Sequence, residues 1–334
     1  MLQILYFKIK EFRFSELFFD TVRLLHAYLS NEEYVKEGDI MIRNTHITVI
    51  GGDARQVYAA DHLAKAGYTV TTFGLSSAPQ SAKACQTYAD AVQNAEIVLL
   101  PLPMSRDHLQ ITGTELSLSV FQSRLRQGMT VFCGIPDASF VHSSQEIGVK
   151  VVDYASDEVF MIRNALPTAE GAVAIAMGEL RRTLFGSKIL VVGYGRIGKL
   201  LSELLKSMGA EVTVAARKMT DLTLASLHGC KPHRILPGEE GSHYLPALPE
   251  AYHIIFNTAP VRLIHEELLR QIPQDTVLID LASAPGGIDY DAANRLGLKT
   301  VIALSLPGKV APITAGEIIG DLVISHLREE ETSP

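Results

Sequence analysis

The sequence predicts an α/β protein of two doubly wound parallel-sheet domains. Three observations predict it. From Thr45 onward short apolar strands alternate with amphipathic helices, the pattern of a parallel sheet covered on both faces. The pattern runs through twice, with a long helical stretch between the runs. At 334 residues the chain is too long for one compact core and suits two.

In order along the chain, His46-Ile47-Thr48-Val49-Ile50 is a strand ending in Gly51-Gly52. A helix is expected over 55–66, stopped by Gly67. Strands follow at 68–73 and at 96–100, the latter closed by Pro101 and Pro103, then at 129–133 and 149–153, with a helix near 139–147. A helix over 167–184 bridges the domains, with Pro167 in its first turn, where the missing N–H is harmless, and Gly186 at its end. The second run has strands at 188–192, 211–215, 253–257, 276–280 and 299–303, with 231–235 a weaker candidate. Its helices fall near 195–208, 265–271 and 290–296. After a Pro-rich loop over 306–312 comes a last helix, 315–328, expected to return to the first domain, and a frayed tail. The domains are thus a first domain over 41–166, flavodoxin- or Rossmann-like and suited to substrate, a bridging helix over 167–186, a second domain over 187–311, and a returning helix over 312–330.

Composition excludes several functions. The chain is 47% hydrophobic and 20% charged, with 30 basic and 37 acidic residues and a net charge of −7. Its pI is near 5.9 and its mean hydropathy +0.16. It has no basic face of the kind nucleic acid needs. No apolar run is long enough to span a bilayer. Cys85, Cys133 and Cys230 are widely spaced and form no CxxC pair, which fits a reducing cytosol. His108, His142 and His265 lack metal-ligand spacing and read as surface residues, so no metal is expected.

Residues 1–40 stand apart. They are dense in Phe, Leu and Tyr but interrupted by charges, and they lack a signal core and cleavage site. A membrane-lying helix, a partner-binding arm and an extra packed helix are alternatives. The preferred reading is that translation starts at Met41: Lys36-Glu37-Gly38, just upstream, is what a purine-rich ribosome-binding site encodes. An ordinary exposed linker is the plain alternative.

Gly193-Tyr194-Gly195-Arg196-Ile197-Gly198 is GxGxxG between a strand and a helix, with a second strand at the expected interval. Gly193 makes the tight turn, Gly195 lets backbone approach a pyrophosphate, and Gly198 lets helix pack on strand. The helix start offers N–H groups and a positive dipole end. The second domain is therefore read as an NAD(P)-binding Rossmann domain. An Asp or Glu ending the second strand would hold the ribose of NAD; this chain has Ala215-Ala216-Arg217-Lys218. Arg217 and Lys218 suit a 2′-phosphate, so NADP is the expected cofactor, unless both are solvated surface charges. Asn257-Thr258 and Asp280 through Ser283 end the next strands and are expected to line the cofactor crevice, or to be turn chemistry.

A D-2-hydroxyacid dehydrogenase would need an Arg after the fifth Rossmann strand and a His near the last. Here those places hold Ser283 and Pro307-Gly308, and neither binds a carboxylate by charge nor shuttles a proton. Arg55, at the first strand-to-helix junction beside the Gly52 backbone, is the best anchor for an acidic substrate, or else pairs with a nearby acid. Arg106 and Arg163 are weaker anchors. Asp53 is a proton acceptor or, more simply, a helix cap. Glu170 is a proton acceptor or a favourable charge at a helix start. Thr168 bonds the nicotinamide amide or caps. Pro307, Gly308, Pro312 and Thr314 shape a cofactor-side loop.

Four phrases in order, Val49-Ile-Gly-Gly-Asp-Ala-Arg-Gln56, Leu166-Pro-Thr-Ala-Glu-Gly171, Asp280-Leu-Ala-Ser-Ala-Pro-Gly-Gly-Ile-Asp289 and Leu306-Pro-Gly-Lys-Val-Ala-Pro-Ile-Thr-Ala-Gly316, together with the Gly193–Gly198 turn, resemble the family of dipicolinate synthase A subunits of endospore-forming bacteria. The resemblance covers Met41 to the C-terminus. It implies oxidation of dihydrodipicolinate, or its hydroxy-tetrahydro precursor, from the lysine branch to dipicolinate, with NADP. It also implies the flavoprotein-like B subunit of dipicolinate synthase as partner, a small dicarboxylate substrate, and the cytoplasm of a sporulating mother cell; a homo-oligomer is expected besides. The alternatives are a stand-alone NADP-dependent reductase of a small keto or imino acid, and a non-catalytic NADP-binding scaffold.

Overall fold

The computed structural model describes residues 45–238, 242–283 and 285–332. The readings of residues 1–40 and of a start at Met41 lie outside the described residues.

The first sheet contains β1 (His46–Ile50), β2 (Thr69–Phe73), β3 (Lys83–Ala84), β4 (Ile97–Leu99), β5 (Thr130–Cys133) and β6 (Lys150–Asp153), in the order β3-β2-β1-β4-β5-β6. Every pairing is parallel. Its helices are α1 (Ala54–Lys65), α2 (Tyr88–Val92), α3 (Leu118–Gln122) and α4 (Ala138–Glu146). Central strands such as β4 are wholly buried, as continuous apolar strands must be when both faces are covered.

α5 (Glu158–Glu179) then leads to the second sheet. This contains β7 (Lys188–Val192), β8 (Glu211–Ala216), β9 (Lys231–Arg234), β12 (Ile254–Asn257), β13 (Val277–Asp280) and β14 (Lys299–Ile302); β10 (Leu236–Pro237) and β11 (His243–Tyr244) form a small hairpin. The order is β14-β13-β12-β7-β8-β9, again all parallel. Counted from its own first strand, this is the order of the first sheet. Two domains whose sequences are only loosely similar thus share one topology, with a switch point between β1 and β4 and another between β7 and β12. The helices are α6 (Arg196–Ser207), α7 (Met219–Leu227), α8 (Glu266–Leu269), α9 (Tyr290–Arg295), α10 (Leu306–Val310) and α11 (Pro312–Thr332).

The expected α/β class holds, with three differences in detail. α5 begins at Glu158, nine residues before Pro167, because Asp157 accepts the Phe160 N–H at 2.7 Å and caps the helix there. Pro167 therefore sits inside it. The helix serves both cores: Phe160 packs in the first, and Ala169, Ala172 and Ala176 in the second. The stretch read as a Pro-rich loop contains helix α10, with Pro in its first turn. The tail from Glu329 continues α11 to Thr332.

α11 lies on α1 in the first core, where Ile318, Ile319 and Val323 are buried. Gly316 and Gly320, one helical turn apart, make this approach possible. A Cβ at Gly316 would stand 2.6 Å from the Arg55 carbonyl oxygen, and one at Gly320 would stand 2.6 Å from His62.

Candidate functional site

In an open α/β sheet ligands bind beyond the carboxyl ends of the strands at the switch point. The second sheet meets this demand with an open turn. Gly193 has φ of 100°, and a Cβ there would collide with Thr258 Oγ1. A Cβ at Gly198 would collide with the Gly193 carbonyl oxygen, whereas Gly195 has nothing within 4 Å. Gly195 is the N-cap of α6 and supplies no side-chain cap, so the first-turn N–H groups are left for an anion.

The first sheet closes the equivalent helix start on itself. Asp53 caps α1 in a full capping box with Gln56. Gly52 N donates to the Thr112 carbonyl at 2.7 Å. Two helix starts of equal topology therefore differ in chemistry: one is filled by its own carboxylate, the other is open.

At the first switch point lies a cavity of about 370 Å³. Gly52, Asp53, Arg55, Leu102, Arg106 and Thr112 are among the residues that line it. Arg55 Nε donates to Asp53 Oδ1 at 2.8 Å, and Nη2 donates to Asp53 Oδ2 at 2.9 Å and to the Leu102 carbonyl at 3.1 Å. The Arg55 side chain is 6% exposed. Burial pushes the Asp53 carboxyl up, but the Arg55 hydrogen bond and charge, helped by Arg106, outweigh it and hold the group below its usual range. Asp53 is thus an ionised cap and a poor proton acceptor. Arg106 is exposed and makes no hydrogen bond or close ion pair among the described residues.

The two sheets meet at their carboxyl ends. A Cβ at Gly308 in α10 would lie 2.8 Å from Asp53 Oδ2 and 3.1 Å from Arg55 Nε. Arg196, at the start of α6, forms a two-point pair with Glu158, at the start of α5, through Nε to Oε1 at 2.9 Å and through Nη2 to Oε2. Arg55, Asp53, Gly52 and Arg106 are brought together; Arg163 is not with them. It donates to Asp321 Oδ2 at 2.8 Å, and His62 holds the other oxygen of that carboxylate at 2.7 Å. Arg163 is a tie between α5 and α11, not a substrate anchor.

Other expected residues need similar correction. Thr168 is buried inside α5 and donates to the Asn164 carbonyl at 3.0 Å, so it does not cap a helix start and its hydroxyl proton is spent within the helix. Glu170 is exposed in mid-helix, where there is no helix start for its charge to favour. Asn257 and Asp280 are fully buried. Asp280 accepts from Asn257 Nδ2 at 2.8 Å, Ala282 N at 2.9 Å, Gly287 N at 2.8 Å and Tyr290 OH at 2.7 Å. They brace the crevice from below and do not line it. Thr258 donates its hydroxyl to the Val192 carbonyl at 3.0 Å. The Tyr194 ring is buried, and burial raises its hydroxyl pKa to about 12; with Ile197 it packs into the core, leaving only backbone for a ligand. Pro307 is buried in α10. Ser283 is exposed beyond β13. Arg217 and Lys218 are exposed beyond β8, with no partner among the described residues.

Sequence reasoning missed the approach of Gly308 to Asp53. No local pattern marks that approach; Ser305-Leu306-Pro307 signals only the start of the helix that carries Gly308. Among the described residues no cluster suits a metal ion, and no helix is long and apolar enough to cross a membrane.

Fold and site together define a two-domain, dehydrogenase-like protein with one open dinucleotide turn. A transhydrogenase from Sinorhizobium meliloti shares that fold at 17% identity and a TM-score of 0.60, over 84% of this chain and 92% of its own. The likeness narrows further. Residues 46–155 match the family profile of the N-terminal domain of the dipicolinate synthase A subunit. The dipicolinate synthase A subunit of Bacillus subtilis is 28% identical over 303 residues, 86% of this chain and 98% of its own. The crystal structure of the dipicolinate synthase A subunit from Bacillus halodurans superposes with a TM-score of 0.74 at 25% identity, over 88% of this chain and all of that one. The chain is a relative of the dipicolinate synthase A subunits along nearly all of its described length.

Proposed function

We propose that the chain is an oxidoreductase that forms dipicolinate from dihydrodipicolinate, or from its hydroxy-tetrahydro precursor, with NADP. It works with a flavoprotein-like second subunit in the cytoplasm of a sporulating mother cell. The relatives are named as the A subunits of their synthase, which supports a second one. The observation that carries the cofactor reading is the open start of α6 beside two unpartnered cations, with no carboxylate where NAD would need one. The Gly193–Gly198 backbone holds the pyrophosphate, and Arg217 with Lys218 holds the 2′-phosphate. When bound, oxidised nicotinamide supplies the hydride acceptor.

The rest falls to the chain's own residues. Arg106 at the rim and Arg55 Nη1, which donates to no described residue, meet the substrate carboxylates in the cavity at the first switch point. Asp53 keeps Arg55 oriented. α10 joins the two carboxyl edges by bringing Gly308 against Asp53 and Arg55.

The test incubates the purified chain, with and without the second subunit, with dihydrodipicolinate and NADP⁺, and follows NADPH fluorescence and dipicolinate absorbance. Both signals are expected to rise together. Dipicolinate formed without NADPH would move the hydride to another acceptor and sink the NADP part. No dipicolinate in either mixture would sink the whole reading.

A further inference from the structure

His108 and Asp137 form a pair that neither the sequence reading nor the proposed function uses. His108 Nδ1 lies 2.7 Å from Asp137 Oδ1. The two residues come from different loops on the carboxyl edge of the first sheet, one after β4 and one after β5. His108 stands between Asp107 and Gln110, both of which line the cavity.

Three features show that the pair is built. Asp137 occupies the N-cap position of α4 with extended backbone, yet makes no cap hydrogen bond. An Asp at that place ordinarily bonds its own helix; this one gives its carboxylate to His108. Next, His108 has φ of 59° at the apex of a stapled turn. Asp107 Oδ1 accepts from Leu109 N and Gln110 N, both at 2.9 Å, and from Ser105 Oγ at 3.1 Å. Finally, the loop that carries Asp137 contains Ile135 at φ 54°. A β-branched residue there is strained, and its N–H is held by Asp153 Oδ1 at 3.0 Å. Left-handed residues on both sides of one ion-pairing contact are the kind of strain that accompanies function.

A carboxylate oxygen accepts, so in the neutral tautomer that pairs with Asp137 the proton sits on Nδ1 and the lone pair on Nε2. Asp137 thereby fixes tautomer and ring orientation, as a carboxylate does for a histidine base. The charged groups around the imidazole are Arg106 and Asp107 on its own loop and Asp137 at the start of α4; the ring itself is 73% exposed, beside the cavity that Arg106, Asp107, Asp53 and Arg55 line.

We infer that His108, oriented by Asp137, is the base that takes the ring proton during aromatisation. This rests on the proposed function. One ring C–H bond breaks and its electron pair leaves as hydride to the oxidised nicotinamide. The neighbouring C–H bond breaks, its proton goes to His108 Nε2, and its electron pair remains as the new C=C bond. His108 is then a catalytic residue and Asp137 a positioning residue.

His108→Asn is the clean variant, because Asn tolerates the left-handed backbone and is no base. It is expected to lower kcat by about a hundredfold or more, the usual contribution of a general base, with NADP⁺ affinity and melting temperature unchanged. Imidazole added to His108→Gly is expected to restore part of the rate, and Asp137→Asn to lose about tenfold, less than the base itself. Dipicolinate titrated into the wild-type chain is expected to shift the His108 imidazole resonances. A His108→Asn enzyme within threefold of wild type, a loss that imidazole does not relieve, or a silent imidazole overturns the inference alone. A wild-type chain that makes no dipicolinate either alone or with the second subunit overturns the proposed function and this inference with it.

Discussion

Arg55 is locked to Asp53 by two parallel hydrogen bonds, of 2.8 and 2.9 Å, with its remaining Nη2 proton on the Leu102 carbonyl. The guanidinium is almost wholly buried while the carboxylate is partly open to the cavity. An arginine so held is a rigid part of the cavity wall. Lys has one point charge and no fork, so Arg55→Lys is expected to raise the KM for the dicarboxylate by about tenfold, roughly 1.4 kcal/mol of binding. Arg55→Ala also leaves the Leu102 carbonyl without its donor and the Asp53 carboxylate with only the backbone N–H of residue 55, and is expected to cost about 1 kcal/mol of stability. Chemical denaturation with steady-state kinetics checks both. An Arg55→Ala chain of full activity would remove Arg55 from the site.

The second prediction concerns the tie among three helices. Burial pushes the Asp321 carboxyl up, but hydrogen bonds from His62 and Arg163 pull it further down, so that it lies below its ordinary value of 3.8. A depressed carboxyl contributes stability that is fully present above the unfolded value and is lost as pH falls through the folded one. Asp321→Asn is therefore expected to lower the melting temperature by about 3 °C near pH 7, with the gap closing below pH 3.8. Scanning calorimetry of both chains at pH 7 and pH 3 decides; an equal gap at both would show that the charge of Asp321 is not what ties the helices.

How much of this was readable beforehand depends on the distance in sequence between partners. The Gly193–Gly198 turn was readable because its demands are local: a tight turn, a close approach and a helix start within six residues. The exposed positions of Arg217 and Lys218 just past a strand were readable for the same reason. Arg163 was not, since its partner Asp321 is 158 residues away and no local pattern marks a helix-to-helix ion pair. Asp280 was misread because a strand-end Asp looks the same whether it faces a ligand or, as here, four internal donors. The parallel pairing of both sheets followed from the alternation of strands and helices, but their strand orders and the identity of those orders did not, because topology leaves little trace in residue-by-residue similarity.

The third prediction separates the two nicotinamide cofactors. Arg217 follows β8, where the chain presents charge and no carboxylate. Arg217→Asp removes one charge-assisted bond to a 2′-phosphate and adds repulsion. NADP affinity is expected to fall by about ten- to a hundredfold, roughly 1.4–2.8 kcal/mol, while NAD affinity holds or rises. Titration calorimetry with each cofactor measures this. An unchanged NADP affinity would return Arg217 to the solvated surface.

The last prediction tests whether the two carboxyl edges act as one site. α10 follows the final strand of the second sheet, yet its Gly308 faces the Asp53–Arg55 pair of the first: an added methyl would sit 2.8 Å from Asp53 Oδ2 and 3.1 Å from Arg55 Nε. Asp53 cannot swing aside, because its carboxylate already holds the Arg55 N–H at 3.1 Å as well as the guanidinium. α10 would have to withdraw instead, and with it the contact of Leu306 and Val310 on Gly171 of α5. The Gly193–Gly198 turn belongs to β7 and α6 and makes no part of that contact, so NADP affinity is expected to stay within about twofold. A shift of an ångström between reacting groups lowers rate far more than binding, by up to about a hundredfold. Gly308→Ala is thus expected to keep cofactor binding and lose at least about tenfold in kcat/KM, as measured by NADPH formation. A variant that loses both in proportion would place α10 in the cofactor site alone, and one that loses neither would separate the two edges.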